Sequence, residues 1–204
     1  MNLYQKYFKN LLDKTCSVFL LICCSPLIFL VSIIQFTIYG RDIFFLQERS
    51  GLNGRVFQIL KFRTMKDKYD KNGMLLPDHL RLTHFGRLLR FLSFDEVLNL
   101  VNVFRGEMSF VGPRPFPKTY LAFMNDEQKR RYSVRPGITG LAQVNGRNKL
   151  SWGEKIFFDL QYVRNVKFLL DLGICIRSLK FLFTTTKNRE LGNNSFDNFT
   201  PDFD

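Results

Sequence analysis

The chain has 204 residues, which is enough for one domain with a hydrophobic core and an appended membrane element, and too few for several large domains. Its formal charge of +12 at pH 7 favours anionic partners over cationic ones. Nucleic acid, an acidic lipid surface and a phosphorylated small molecule all meet that condition. The four cysteines show no metal-ligand spacing and lie in apolar segments, which indicates small hydrophobic residues in a reducing compartment.

The first predicted element is an uncharged stretch over residues 15–39, long enough to cross a bilayer. Ser25 and Pro26 fall near its middle. Because Pro26 has no N–H to donate to the carbonyl of Ile22, and its ring crowds that turn, we expect a helix to kink there. Both flanks are basic, so the positive-inside rule gives little preference for a spanning orientation. The residues alone favour a kinked spanning helix, because re-entrant helices are rare.

Residues 42–64 are predicted to form a β-hairpin, with Asn53 and Gly54 supplying positive φ in its turn. On the second strand Lys61 and Arg63 fall on one face, because the side-chain period of a strand is two. Two neighbouring cations can clamp a diphosphate. They can equally form a solvated edge that discourages aggregation.

A polar loop over residues 66–77 precedes one predicted helix over residues 78–92, in which apolar residues recur at three- and four-residue steps. Arg90 lies on its polar side, nearest in sequence to an acidic pair, where it could bind a phosphate or steady a carboxylate. That pair, Asp95 and Glu96, follows Ser93 in a pattern that matches a capping box.

The capping box predicts that Asp95 lies in the first turn of a helix, where the dipole favours an anion and keeps the carboxylate ionised. Two interpretations follow from the residues alone. One is a well-capped helix, which is the commoner case, and the other is a nucleophile that faces a phosphate site. The same segment ends at Arg114, which is held between two prolines.

Beyond this segment, residues 126–132 are predicted to be helical, and the glycine-rich residues 135–147 are expected to lack ordinary secondary structure. Backbone N–H groups in such a loop could bind phosphate or uridine. Residues 151–164 and 168–183 read as two helices that mix aromatic and basic side chains. These helices suit either a membrane interface or packing against the core.

Three segments resemble the monotopic phosphoglycosyl transferases, bacterial enzymes that move a phosphosugar from a nucleotide sugar onto a polyprenyl phosphate. They are Phe94-Asp-Glu, residues 105–115 and residues 135–147, and the run Lys61-Phe-Arg-Thr-Met is similar to a further motif of that family. The resemblance extends over residues 4–182. Among small members, the chain looks most similar to the N,N′-diacetylbacillosamine-phosphate transferase type. It departs from many relatives at Asn99, where they carry glutamine.

The resemblance implies an α+β fold that is mostly helical, with a small β-hairpin and amphipathic interfacial helices around one compact cytoplasmic domain. Residues 1–40 would form a re-entrant, monotopic membrane helix broken at Ser25-Pro26, which reverses the preference for a spanning helix. Residues 41–186 would form the catalytic domain, and residues 187–204 a disordered tail. The protein would reside on the bacterial inner membrane and face the cytoplasm.

The same resemblance implies the chemistry. Asp95 would be the nucleophile that forms a covalent phosphosugar intermediate, and Glu96 a metal ligand or general base. The cofactor would be Mg²⁺, held by this pair, and the partners a UDP-sugar, polyprenyl phosphate and membrane lipids, without nucleic acid. The cations expected to bind the substrate phosphates are Lys61, Arg63, Arg90, Arg114, Arg135 and Arg147.

Several alternatives stay open. The donor sugar is expected to be N,N′-diacetylbacillosamine, and the same chemistry could serve galactose, glucose or N-acetylglucosamine. A basic, membrane-anchored nucleic-acid binder and a membrane scaffold also fit the charge and the aromatic content. Neither of these two classes predicts a role for the carboxylates of Asp95 and Glu96.

Overall fold

The computed structural model describes residues 3–146 and 149–184. Within them the chain is mostly helical with two small sheets, which confirms the predicted mostly helical α+β class. The helices are α1 Lys9–Tyr39, α2 Asp78–Arg81, α3 His84–Leu92, α4 Asn99–Arg105, α5 Asp126–Lys129, α6 Leu141–Asn145, α7 Trp152–Arg164 and α8 Phe168–Thr184. The strands are β1 Phe44–Ser50, β2 Val56–Phe62, β3 Ser109–Val111 and β4 Gly137–Thr139. The expected disordered tail lies outside the described residues.

In the described part of the chain, one helix is long and apolar enough to cross a membrane, judged by length and composition. It comprises α1 and a preceding π-helical turn, and α1 continues through Pro26. The carbonyl of Ile22 is the one that Pro26 leaves without a backbone donor. The hydroxyl of Ser25 donates to that carbonyl at 2.8 Å. The serine therefore replaces the hydrogen bond that the proline removes.

Both ends of α1 contact the rest of the protein, whereas most side chains in its middle are exposed. Near its start, Lys9 forms an ion pair with Asp171 of α8. Near its end, the amide of Gln35 donates to the carbonyl oxygen of Arg63 at 2.9 Å. The exposed apolar side chains between these contacts are Val18, Phe19, Leu20, Ile22, Leu27, Phe29 and Leu30.

The predicted hairpin is confirmed. Strands β1 and β2 pair in antiparallel fashion, with Phe44 opposite Phe62 and the turn between Ser50 and Val56. Asn53 and Gly54 take φ values of 54° and 74°, the positive φ that the turn was predicted to need. The pairing brings Lys61, the next-to-last residue of β2, to the acidic pair described below.

The prediction of one helix over residues 78–92 is wrong, because α2 ends before Thr83 and α3 begins after it. The Thr83 hydroxyl caps α3 by accepting a hydrogen bond from the backbone N–H of Gly86 at 2.9 Å. A Cβ added to Gly86 would lie 2.2 Å from the carbonyl oxygen of Thr64. The break therefore lets α3 approach the chain leaving β2 closely, which places Arg90 within reach of the Thr64 hydroxyl.

The expectation that residues 135–147 lack ordinary secondary structure is also wrong. Strand β4 pairs in parallel with β3, with Ser109 opposite Gly137, and α6 follows. A Cβ added to Gly137 would lie 2.1 Å from the backbone nitrogen of Gly112. These glycines allow two short strands to meet at close range, rather than forming an open loop. The proline-flanked Arg114 follows β3 directly.

The two predicted C-terminal helices are confirmed as α7 and α8. Their inner faces lie in the core, where Ile156, Tyr162 and Ile174 are buried. Their outer faces carry exposed apolar side chains: Phe157, Phe168, Leu169, Leu172, Ile176 and Leu179. Core packing therefore accounts for one side of each helix, and the interfacial role stays a prediction for the other.

Candidate active site

Asp95 and Glu96 lie in a 3₁₀ turn, Phe94–Glu96, which we call the acidic turn. Ser93 precedes it with φ 55° and ψ 21°, a left-handed conformation that ends α3. A helix N-cap has an extended backbone, and Ser93 makes no side-chain cap to the acidic turn. The predicted capping box is therefore wrong. The carboxylates lie between α3 and α4, not in the first turn of an α-helix.

Apolar side chains of other elements pack against the acidic turn and the residues that follow it. The ring of Phe94 stacks on Phe62 of β2, with 6.4 Å between centroids and 12° between planes. Just beyond the turn, Leu98 is buried with Leu89 of α3 and Val31 of α1. Elements from three parts of the chain, including the apolar N-terminal helix, therefore fix the backbone that carries the two carboxylates.

Glu96 is bound by two cations. One carboxylate oxygen, Oε1, accepts hydrogen bonds from Lys61 Nζ at 2.6 Å and from Arg114 Nη2 at 3.0 Å. The side chains of Glu96 and Lys61 are 21% and 17% exposed, and that of Arg114 is 48% exposed. Burial alone would raise the pKa of Glu96, but the two cations hold that pKa well below its usual range. Glu96 is therefore a fixed anion that organises the cations around it.

Asp95 has a different environment. Burial, followed by the neighbouring Glu96, raises the pKa of Asp95, while Lys61, Arg90 and Arg114 act in the opposite direction. Among the described residues Asp95 forms no direct ion pair, whereas Glu96 forms two. The fold therefore separates two adjacent carboxylates into one that is bound by cations and one whose oxygens are available to a ligand.

Arg90 and Arg63 have different partners. Arg90 Nε donates to the Thr64 hydroxyl at 3.0 Å, and its charge acts on Asp95. Arg63 forms an ion pair with Asp67 at 2.9 Å. The structure thus brings Lys61 and Arg90 to the acidic turn, while the side chain of Arg63 points to another partner.

Three further positions that the sequence analysis singled out are Arg135, Arg147 and Asn99. Arg135 precedes β4, and its Nε is buried without a hydrogen-bond partner among the described residues. Arg147 lies outside the described residues. Asn99, where many relatives carry glutamine, is buried at the start of α4, and its Oδ1 has no partner in the part of the chain that the structure describes.

Two cations near Arg114 were not predicted. Arg49 on β1 is buried, and burial, followed by the charge of Arg114, lowers its pKa to about 10. Lys155 of α7 lies 4.4 Å from the ring centroid of Trp152, and burial and Arg114 lower its pKa. Both residues come from elements distant in sequence from Arg114, so no local pattern identified them.

The acidic turn fits a magnesium ion that arrives with a ligand. The described residues contain no group of three or more His, Cys, Asp or Glu that could hold a metal ion. Mg²⁺, however, commonly binds one or two protein carboxylates and completes its shell with water and substrate phosphates. Asp95 and Glu96 supply two such carboxylates, and only one oxygen of Glu96 is already bound by cations.

The site has a surplus of positive charge. Four cations, Arg49, Lys61, Arg90 and Arg114, act on two adjacent carboxylates. Because like charges in a partly buried site repel each other, this arrangement favours the binding of an anion. An available carboxylate beside a bound anion is an arrangement suited to nucleophilic attack on phosphorus.

Comparison with known proteins gives one consistent family. The chain matches the family model described as bacterial sugar transferase over residues 4–185. It is 49% identical over 176 residues to the uncharacterized sugar transferase EpsL of Bacillus subtilis, covering 85% of this chain and 87% of that one. It is 37% identical over 202 residues to an undecaprenyl-phosphate glucose phosphotransferase of Komagataeibacter xylinus, and the match covers 92% of this chain and 37% of that one. It is 32% identical over 194 residues to an undecaprenyl-phosphate galactose phosphotransferase of Salmonella typhimurium, covering 86% and 40%.

Proposed function

The chain belongs to the bacterial sugar transferase family, and on that premise we propose that it is a phosphoglycosyl transferase. It transfers a sugar 1-phosphate from a UDP-sugar to undecaprenyl phosphate and releases UMP, as the first membrane step in assembly of a glycan. The names of two relatives, which transfer glucose or galactose phosphate, support this class of reaction. The observation that carries the proposal is the acidic turn, where cations bind Glu96 and leave Asp95 available.

In the first half-reaction, a carboxylate oxygen of Asp95 attacks the β-phosphorus of the UDP-sugar. The bond from that phosphorus to the bridging oxygen breaks, and UMP leaves with the electron pair. In the second half-reaction, a phosphate oxygen of undecaprenyl phosphate attacks the same phosphorus, the bond to Asp95 breaks, and the carboxylate is regenerated. Two successive displacements predict ping-pong kinetics.

The remaining groups bind and stabilise charge. Lys61 and Arg114 lie within hydrogen-bond distance of Glu96 and next to Asp95, so they can contact the diphosphate without large movements. Arg90 acts on Asp95 from α3. A Mg²⁺ held by Asp95 and Glu96 would neutralise the diphosphate and polarise it toward attack. In this proposal Glu96 stays ionised because Lys61 and Arg114 bind it. It would keep these cations and the metal in place while Asp95 reacts.

For the membrane arrangement we propose a re-entrant, monotopic helix with the catalytic domain on the cytoplasmic face of the inner membrane. Lys9 at one end of α1 and Gln35 near the other both contact the same folded domain. A helix that crossed about 30 Å of hydrocarbon would leave its two ends on opposite sides. We place the bend of this re-entrant helix at Ser25 and Pro26, where the proline leaves the carbonyl of Ile22 without a backbone donor and the Ser25 hydroxyl donates to it instead.

Membrane topology is tested with single cysteines placed at the exposed Lys6 and Arg41 in a variant without native cysteines. A maleimide that cannot cross membranes is expected to label neither position in intact cells and both in inverted membrane vesicles. Labelling of one position from outside the cell would show a spanning helix and refute the re-entrant arrangement.

For the donor sugar, N,N′-diacetylbacillosamine is the first candidate, supported by the resemblance of residues 145–148 and of Ser151-Trp152 to that transferase type. Glucose and galactose are the second candidates, because relatives carry those names. Incubation with each UDP-sugar, and with UDP-N-acetylglucosamine, decides between them by the rate of UMP release.

The reaction is tested in detergent with undecaprenyl phosphate, Mg²⁺ and the panel of donors. Wild type is expected to release UMP, and Asp95→Asn to release none, while Asp126→Asn serves as a control because its carboxylate is on the surface of α5. Intact-mass measurement without acceptor should show a phosphosugar adduct on wild type alone. Equal UMP release by wild type and Asp95→Asn would exclude Asp95 as nucleophile. Absence of release with every donor would favour a nucleic-acid binder or a scaffold.

A further inference from the structure

Arg131 is a buried cation that lies outside the acidic turn. It belongs to the 3₁₀ turn Arg130–Ser133 and forms an ion pair with Asp159 of α7, and each of the two residues is 1% exposed. Asp159 Oδ2 accepts from Arg131 Nε at 3.1 Å and from Nη2 at 2.6 Å. The pair therefore connects α7 to the segment that precedes β4, in a region from which water is excluded.

The same guanidinium contacts the proline-flanked turn that carries Arg114. Arg131 Nη2 donates to the backbone carbonyl oxygen of Arg114 at 2.8 Å. Its central carbon lies 3.5 Å from the ring centroid of Phe116, a stacking distance. Because Arg114 and Phe116 flank Pro115, one buried side chain contacts the turn on both sides of that proline.

We propose that Arg131, held by Asp159, is a positioning residue that sets the backbone of Arg114 and thereby aims its guanidinium at the acidic turn. The proposal rests on the proposed function, in which Arg114 binds the donor diphosphate. Proline limits its own φ and biases the residue before it toward extended backbone. The orientation of the peptide plane between Arg114 and Pro115 is left to a partner of the carbonyl, and Arg131 is that partner.

The energetics favour a geometric role over simple stabilisation. A buried ion pair stabilises a fold only when further hydrogen bonds satisfy its remaining polar atoms, and apolar residues of similar volume often do as well. Asp159 Oδ1 is buried and has no hydrogen-bond partner in the described residues. What the pair does supply is directional contact, because only arginine offers a planar fork that can bind a carboxylate, a carbonyl and a ring face together.

Arg114 itself needs such support. Its side chain is 48% exposed and its ion pair is with Glu96, a residue that must also serve the metal and the substrate. Fixing its backbone sets the point from which this long, half-exposed side chain extends. Arg131 supplies that constraint from a site that no substrate needs to reach.

The test is a double-mutant cycle on UMP release, with Arg131→Lys, Arg114→Ala and the combination. Arg131→Lys is expected to lower kcat/KM by about 10- to 100-fold, since a misplacement of the order of 1 Å can have that effect. In the Arg114→Ala background the same substitution should cost less than about threefold, because residues that act through one another are not additive. The control is Arg164→Gln, which breaks a surface ion pair on α7, the helix that carries Asp159. It should leave kcat/KM unchanged.

Thermal unfolding of each variant separates loss of fold from loss of positioning. If Arg131→Lys does not fold, Phe116→Leu, which keeps the ion pair and removes the stacked ring, enters the same cycle. Losses that multiply in the double variant would overturn the positioning role. If the wild type itself releases no UMP, the proposed function fails. Multiplying losses with an active wild type refute this inference alone.

Discussion

The substitution Glu96→Gln tests the charge arrangement of the site most directly. In the structure one oxygen of Glu96 accepts from Lys61 at 2.6 Å and from Arg114 at 3.0 Å. Glutamine keeps an oxygen that can accept one of these hydrogen bonds, but it removes the negative charge. We expect the variant to fold, with a loss of about 1 kcal/mol in the free energy of unfolding, because the pair is partly exposed.

The expected effect on ligand binding depends on the metal. Without Mg²⁺, two cations are released from Glu96 and one repelling charge is removed, so UDP should bind more tightly. A unit charge at about 4 Å contributes about 1 kcal/mol in water, which corresponds to roughly fivefold in affinity. With Mg²⁺, the loss of a carboxylate ligand should instead weaken UDP binding by at least about tenfold. Turnover should fall in the presence of metal.

The assay is titration calorimetry of UDP against wild type, Glu96→Gln and Glu127→Gln, first with a chelator and then with excess Mg²⁺. Glu127 is a suitable control because its carboxylate also pairs with an arginine, but on the surface, where it is 62% exposed. Repeating the chelator series at high salt should reduce the difference between Glu96→Gln and wild type, since screening weakens charge interactions.

The outcomes separate two parts of the reasoning. Unchanged or weaker UDP binding by a folded Glu96→Gln variant with chelator would refute the surplus of positive charge as the basis of anion binding. Tighter binding both with and without Mg²⁺ would retain the anion site and remove Glu96 as a metal ligand. A reversal of sign between the two conditions is the expected result.

Four further substitutions test the fold and the membrane helix. Gly86→Ala should lower the unfolding temperature strongly, because the new Cβ would lie 2.2 Å from the carbonyl oxygen of Thr64. The matched control is Gly173→Ala in α8, where a new Cβ meets nothing within 4 Å, and it should stabilise the fold by about 0.5–1 kcal/mol. Asp171→Ala leaves the buried ammonium of Lys9 without its partner, and should cost about 3–5 kcal/mol in chemical denaturation. Pro26→Ala restores a backbone donor, so it should remove the proposed bend in α1 and shift cysteine labelling toward a spanning orientation. Unchanged labelling would show that Pro26 does not set such a bend.

Elements that depend on local signals could be predicted from the sequence. The hairpin follows from the positive φ that Asn53 and Gly54 accept, and its register brings Lys61 to the acidic pair. The helices α7 and α8 were predicted from the sequence, and the structure adds a local signal for α7, a capping box at Ser151 and Glu154. In each case the residues that decide the structure lie within a few positions of one another.

Elements that are decided by contacts between residues distant in sequence could not be predicted from the sequence. Ser93 fits a capping pattern, yet it takes a left-handed conformation that ends α3, where Leu89 packs with Phe62 of β2. Arg131 is buried because its partners come from other segments; Asp159 lies 28 residues beyond Arg131. A single sequence shows such a residue only as one charge among many, so its burial and its role become visible only in the fold.

In the proposed function, the placement of the acidic turn would let one small domain serve a soluble donor and a lipid acceptor. Val31 of α1, the helix proposed to enter the membrane, packs in the same cluster as Leu98, just beyond the carboxylates. The neighbouring α3 exposes Leu88 and Leu92, while its Arg90 acts on Asp95. The same elements therefore present apolar surface and the charges of the proposed site a few residues apart. In the proposed reaction, an acceptor phosphate anchored by its lipid reaches the phosphorus at such a boundary, and the shared cluster of Val31 and Leu98 keeps the helix and the site together.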